Sequence, residues 1–252
     1  MKLTIASLFM FFFSLACYML HLAFQVNIKN HSLQIKEMQN GEKLRVFFIS
    51  DIHRRKIPDT LIKALIGKVD IVIIGGDLTE KGVPLKRTKH NILLLNKLGT
   101  VFFVYGNNDR EVDVQKFDSI LLETGVTILK NDSARIQTGN SIIRLIGIDD
   151  GFSGRVKIEE AFQKVKDHDI IIFVSHAPAF FKHAKKIAIP HLLLAGHLHG
   201  GQIRLGPFGL YENGEFIEKV NSAELVSNGF GTTGVPLRLG AKSECHIITL
   251  HG

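Results

Sequence analysis

The sequence predicts an α/β layered domain carrying an N-terminal membrane-spanning helix. Three observations predict it. Short, almost uninterrupted apolar runs recur after residue 44, as strands buried on both faces require. Amphipathic segments with helical spacing separate most of them, the alternation that builds a sheet covered by helices. The stretch from Leu3 to Val26 holds no charged residue. As a helix it would be about 36 Å long, against a hydrocarbon core of roughly 30 Å.

The N-terminal run, LTIASLFMFFFSLACYMLHLAFQV, lacks the small-residue exit of a cleaved signal peptide. Ser14 stands where a lipoprotein signal would place an apolar residue, three before Cys17. An uncleaved single-pass anchor over residues 1–28 is therefore expected, with His21 an interfacial residue. Lys2 flanks one side, and Lys29, Lys36, Lys43 and Arg45 the other. That count favours a cytoplasmic domain by a narrow margin, which leaves the side of the membrane open.

Residues 29–43 read as a short connector and first strand region, and 44–252 as one functional domain. Strands are expected over 44–50, 70–76, 101–106, 142–148, 169–175 and 191–197, each rich in β-branched or aromatic residues. Helices are expected near 59–68, 84–98, 111–124, 156–167 and 178–187. Pro58 precedes the first, and Pro84 and Pro178 open two others, where a missing N–H does no harm. The last fifty residues are Gly-rich, with short strands and a hairpin signal at Glu212-Asn213-Gly214.

Composition narrows the function classes. With 252 residues, 45% hydrophobic and 22% charged, the chain can bury one sizeable core and is not disordered. The net charge of +7 favours anionic partners such as phosphates, nucleotides or acidic head groups. The Lys and Arg residues are scattered, so no nucleic acid is expected as a partner. Two cysteines, Cys17 and Cys245, give neither a disulfide framework nor a CxxC site. Any bound metal must rest on His, Asp and Asn.

The chemistry gathers where the strands end. The first strand is followed by Asp51 and His53, the second by Asp77, and the third by Asn107, Asn108 and Asp109. Later strands are followed by His176, and by His197 with His199. Each motif alone is weak: an Asp after a strand is often a helix cap, and a lone His is more often a satisfied core residue. Five in register at the carboxyl edge, where open α/β sheets bind ligands, are not five accidents. Asp51 with His53, and His197 with His199, stand two apart and point the same way on extended backbone. Imidazole, carboxylate and amide oxygen without thiolate suit Mn, Fe or Zn. Two such divalent ions about 3.5–4 Å apart would clamp a phosphate and activate a water bridging them.

In this order, D-x-H, G-D, G-N-x-D, a later H and G-H-x-H, the sequence resembles the calcineurin-like metallophosphoesterases. The motifs stand here as Asp51-Ile52-His53, Gly76-Asp77, Gly106-Asn107-Asn108-Asp109, His176 and Gly196-His197-Leu198-His199. SHAP, AGHLHGGQ and the membrane segment are similar to the bacterial membrane-associated branch. The resemblance covers residues 44–250. It implies a two-sheet β-sandwich flanked by helices and a hydrolase of phosphodiester or phosphoanhydride bonds. The substrate would be a phosphorylated small molecule, a lipid or a nucleotide-sugar compound. One metal would take Asp51, His53, Asp77 and His199; the other would take Asp77, Asn107, His176 and His197.

Within that pattern Asn108 is a departure, since many members carry His there to assist the leaving group. Asn cannot act as a general acid but can donate hydrogen bonds to a phosphoryl oxygen. Asp109 is expected to orient the motif or to cap a helix near Glu111, and His176 to steady charge beside its metal. A non-catalytic metal- or phosphoanion-binding domain is the competing reading, which metal content together with turnover would separate. Outside the site, APAFFKHAKK (177–186) and KRTKH (86–90) read as helices with solvated basic faces, and Asp149 and Asp150 as turn residues.

Overall fold

The computed structural model describes residues 2–252. It opens with helix α1 (Lys2–Phe24). Residues Thr4–Phe24 are long and apolar enough to cross a membrane by length and composition. Side chains such as Phe9, Phe12 and Phe13 stand exposed, but Met19, Leu22 and Ala23 are buried against the rest of the molecule. Two arginines fasten that last turn: Arg238 N donates to Met19 O at 3.1 Å, and Arg55 Nη2 to Phe24 O at 2.6 Å.

The remaining elements are β1 (Ile28–Gln34), β2 (Lys43–Ile49), α2 (Asp59–Leu65), β3 (Ile71–Ile74), α3 (Leu85–Leu95), β4 (Thr100–Phe103), α4 (Val114–Glu123), β5 (Thr127–Ile128), β6 (Asp132–Thr138), β7 (Ser141–Gly147), α5 (Ile158–Phe162), β8 (Ile170–Val174), α6 (Phe181–Ile187), β9 (Leu192–Ala195), β10 (Glu215–Lys219), β11 (Ser222–Val226) and β12 (Cys245–His251). Among the described residues the strands form two six-stranded sheets, ordered β1-β12-β2-β3-β4-β5 and β10-β11-β9-β8-β7-β6.

The period of two along each strand explains why the central ones read as continuous apolar runs. Phe48 and Ile73 of the first sheet meet Leu145, Ile172 and Leu194 of the second in the space between the sheets. Their neighbours Phe47, Val72 and Phe103 point outwards, onto α2, α3 and α4 through Leu61, Ile92 and Phe117. Phe173 and Leu193 on the second sheet point onto α5 and α6 through Phe162, Phe181 and Ala184. Helices thus flank a two-sheet sandwich, and the apolar faces of every central strand are covered.

Strands β2, β3 and β4 are mutually parallel, as are β7, β8 and β9. Strand β12 runs antiparallel to β2 and parallel to β1. Strand β1 therefore begins at the edge where β2 ends, and α1 enters the sandwich at that edge. The expected hairpin at Glu212-Asn213-Gly214 is displaced. The β10–β11 turn is Val220-Asn221, closed by Lys219 opposite Ser222. Asn221 takes the left-handed conformation there, with φ 59°, which its short side chain tolerates in a turn. Gly214 instead donates to Asn228 Oδ1 at 2.7 Å.

Candidate metal centre

Strand geometry delivers the polar side chains, and the turns after the strands aim them. Asp51, His53, Asp77, His197 and His199 all adopt positive φ, at 54°, 51°, 52°, 73° and 51°. Few non-glycine residues do so, and such conformations concentrate at functional sites. Backbone bonds between neighbouring strand ends hold them there. Asp51 N donates to Gly76 O, and His53 N to Asp77 O, both at 3.0 Å. Across the sandwich, His197 N donates to Asp51 Oδ1 at 3.1 Å. The two sheets therefore share one site at their common edge.

The sequence-expected residues converge. His53 Nε2 and His199 Nε2 lie 3.1 Å apart, with Asp51 Oδ1 3.3 Å from the latter. Asp77 Oδ2 lies 3.2 Å from His176 Nε2 and 3.7 Å from His53 Nε2. His197 Nδ1 is 3.2 Å from His176 Nε2. Two buried groups, Asp51-His53-His199 and Asp51-Asp77-His176, bring their donor atoms within 4.8 Å of one another. Asn107 Nδ2 donates to Asn108 Oδ1 at 2.9 Å, while Asn107 Oδ1 is buried without a partner.

Asn108 lines the cavity mouth, and its Nδ2 donates to Glu111 Oε1 at 3.1 Å. Asp109 lies beneath the site. It is fully buried and accepts from the backbone N–H groups of Asp77 at 2.7 Å, Thr79 at 3.0 Å and Gly106 at 2.9 Å. It is thus an organiser of two strand ends. The cap of the following helix is Asp113, which accepts from Lys116 N.

The electrostatics favour a cation. Burial would lower the pKa of His176, yet the carboxylates of Asp77 and Asp51 push it up to about 10. Burial opposes a charge on His53 too, and Glu80, Asp77 and Asp51 outweigh it. Burial pulls Asp77 upwards, but His176 and His53 carry it below the usual carboxylate range. Burial lowers His199 to about 4, and lowers His197 with help from the neighbouring His176. Buried carboxylates that favour protons on two imidazoles, His53 and His176, beside two others that disfavour them form a donor set suited to metal ions. The orphaned Asn107 oxygen completes the fit, since a buried acceptor without a partner is costly.

Sequence reasoning passed over three neighbours. Glu80 Oε2 lies 2.9 Å from His53 Nδ1 and its other oxygen accepts from Arg54, so it fixes the ring of a candidate ligand. Arg238 is fully buried; its Nη2 donates to Asn228 O and Gly231 O at 2.6 Å and lies 3.2 Å from His199 Nδ1. Phe152 leans on His197, ring centroids 4.9 Å apart. Glu80 lies three residues after Asp77, which could have flagged it; nothing in one sequence marks the other two. Asp149 and Asp150 meet Arg110, and Asp150 also accepts from Phe152 N in a turn. In α6, Phe181 and Ala184 are buried and Lys185 pairs with Glu224 at 2.6 Å, an amphipathic helix with a solvated basic face.

A cavity of about 370 Å³ opens over the centre, lined by Asp77, Asn107, Asn108, His197, Leu210 and Tyr211 among others. The sequence matches the family described as Calcineurin-like phosphoesterase over residues 44–201. It is 42% identical to the uncharacterized protein YpbG of Bacillus subtilis (strain 168) over 228 residues, 90% of this chain and 88% of the relative. It is 28% identical to the phosphodiesterase YaeI of Escherichia coli (strain K12), covering 82% of this chain and 80% of that one. Among solved structures, the 5'-nucleotidase precursor from Thermus thermophilus superposes with a TM-score of 0.54 at 12% identity, over 82% of this chain and 55% of that chain.

Proposed function

Because the chain belongs to the calcineurin-like phosphoesterase family, we propose that it hydrolyses phosphodiester or phosphoanhydride bonds with two divalent metal ions, from a domain that α1 anchors to a membrane. The observation that carries the reading is the convergence of carboxylate and imidazole donors from separate strand ends within 4.8 Å. Asp51, His53, Asp77 and His199 would hold one ion. Asp77, Asn107, His176 and His197 would hold the other, and the buried, unpartnered Asn107 Oδ1 supports that role. Ions of this kind supply Lewis-acid polarisation of phosphoryl oxygens and activation of water at neutral pH.

This chain's own residues do the rest. Asn108 stands at the cavity mouth, where its amide can donate to a phosphoryl oxygen and steady developing charge. It has no proton to give to a leaving oxygen, so substrates with good leaving groups are favoured: phosphoanhydrides and activated diesters. Asp109 keeps the Asp77 and Gly106 backbones in place by accepting their N–H groups. Residues 1–28 form the anchor, 29–43 the connector with its first strand, and 44–252 the catalytic domain. The anchor supports a lipid-linked or nucleotide-sugar substrate, Mn, Fe and Zn being the metals suited to the donors.

The test uses the full chain in detergent, stripped of metal and reloaded with Mn. Paired aryl phosphodiester and phosphomonoester substrates are assayed, with Asp77→Asn as control. Metal-dependent turnover that Asp77→Asn abolishes is the expected result. Stoichiometric metal without turnover on esters or on a lipid pyrophosphate would overturn the enzymatic reading.

A further inference from the structure

Beside the metal centre lies a loop of which Leu210 and Tyr211 line the cavity, while Leu205 and Phe208 do not. Residues 203–211, IRLGPFGLY, follow directly on the turn that carries His199. Leu205, Phe208 and Leu210 are 71%, 77% and 79% exposed there. Large apolar side chains clustered in water forgo the gain of burial, so three in six residues call for an apolar neighbour.

The loop's backbone is not free to take one from solvent-facing disorder, because it is folded on itself. Arg204, the only charged residue in the stretch, turns inwards. Its guanidinium donates to Gly200 O at 3.1 Å, Pro207 O at 2.8 Å and Tyr211 O. Leu205 and Phe208 exchange backbone hydrogen bonds at 2.8 and 3.1 Å. Gly209 makes room for this, since a Cβ there would stand 2.8 Å from the Arg204 guanidinium carbon. The one charged side chain is paired inwards and the large apolar side chains are exposed, an arrangement suited to the head-group boundary, where apolar groups can be buried while backbone groups still reach water.

Position identifies the medium. Arg204 N donates to Leu239 O at 2.7 Å and Leu239 N to Gln202 O at 3.0 Å, while the adjacent Arg238 N donates to Met19 O of α1. Loop and helix are therefore clipped to neighbouring residues of one segment. Strand topology agrees, because β1 leads α1 in at the sandwich edge that holds the metal centre. We infer that the 203–211 loop seats in the interface of the same membrane that α1 enters, so that the mouth of the cavity lies at head-group level. The inference rests on the anchor reading above and goes beyond it. A single helix would leave the domain free to tumble on its tether; the loop fixes which face it presents.

The chain contains no tryptophan, so each substitution creates a sole reporter. Phe13→Trp in α1, Phe208→Trp in the loop and Val220→Trp at the opposite end of the sandwich are placed in the full chain. Each is reconstituted in vesicles of phosphatidylethanolamine and phosphatidylglycerol carrying phosphatidylcholine brominated either near the head group or deep in the chain. The inference expects deep bromine to quench Phe13→Trp. Shallow bromine should quench Phe208→Trp several-fold more than Val220→Trp, with a blue-shifted emission. Quenching of Phe13→Trp alone overturns the loop's role and leaves the anchor standing. No quenching of Phe13→Trp overturns both. A Phe208→Trp reporter shielded from aqueous iodide yet untouched by brominated lipid would seat the loop on protein, a partner or a second copy, and would also overturn the inference.

Discussion

Asn108 stands between two side chains, its oxygen accepting from Asn107 and its nitrogen donating to Glu111. Its backbone N–H donates to Asp77 Oδ1 at 2.8 Å, so its main chain is tied to a candidate ligand whatever its side chain does. Replacing the side chain therefore alters proton supply while leaving the ligand frame. Asn108→His is expected to raise turnover of substrates with poor leaving groups by about 10²-fold or more relative to good ones. The measurement is a plot of log kcat/KM against leaving-group pKa, which should flatten in the variant; an unchanged slope would mean that another group supplies the proton. At this scale the candidate ligands were legible because five strand ends in register each carry Asp, His or Asn, although any one of them alone is ordinary. Glu80 and Arg238 were not, because their roles come from neighbours that folding brings in: Arg238 meets His199 from 39 positions away.

The elements that matter most are the ends of β2, β3, β8 and β9, where each strand breaks into a tight turn. Gly76 sits in one of them at φ 88°, and a Cβ there would meet His176 Nδ1 at 2.5 Å and Gly106 N at 2.8 Å. The His176 ring takes that space because its Nδ1 lies 2.9 Å from Gly75 O. Gly76→Ala should push the ring aside and weaken metal binding by about 10–100-fold, the range for losing an outer partner of a ligand. Calorimetric titration with Mn checks this, alongside circular dichroism to show that the fold persists. The central strands were legible because burial on both faces leaves apolar runs. The edge strands β6 and β10 were not, since much of each faces solvent and DSARIQT and EFIEK look like loops. The β10–β11 turn was misplaced for a related reason: Asn213-Gly214 carries the stronger local signal, but Asn228 claims Gly214.

Across the whole molecule, one small cluster ties the two sheets at their open end. His31 on β1 stacks on Phe216 of β10 at 4.2 Å, and its Nε2 lies 3.1 Å from His246 Nδ1 on β12. Burial, with His31 and Lys29, holds His246 well below its ordinary pKa. Burial and Lys29 lower His31 as well, against a weaker pull from Glu244. Once unfolded, both return towards about 6.5. The unfolded chain then binds more protons, so this cluster's contribution is present above about pH 6.5 and is lost as pH falls through that value towards the folded pKa values. Comparing metal-free wild type with His246→Gln cancels the other histidines. The thermal midpoint of the wild type should fall more steeply between about pH 7.5 and 5.5 than that of the variant; equal slopes would refute the assignment. The sandwich as a whole was legible only through the ordered motifs. The alternation of strands and helices fits one open sheet as well as two, and the pairing of β12 between β1 and β2 joins segments some two hundred residues apart.

Arg238 gives the anchor a second meaning. Its backbone N–H holds Met19 O while its guanidinium lies against His199, and Arg55 spans the same junction to Phe24 O and Gln25 O. A protease cutting after Val26 would do more than shed the domain into solution. It would remove two acceptors from the Arg55 guanidinium and the partner of the Arg238 backbone N–H, and so slacken the segment that holds the Arg238 guanidinium against His199; release and loss of activity would come with a single cut. A soluble fragment is for the same reason a poor stand-in for the tethered protein.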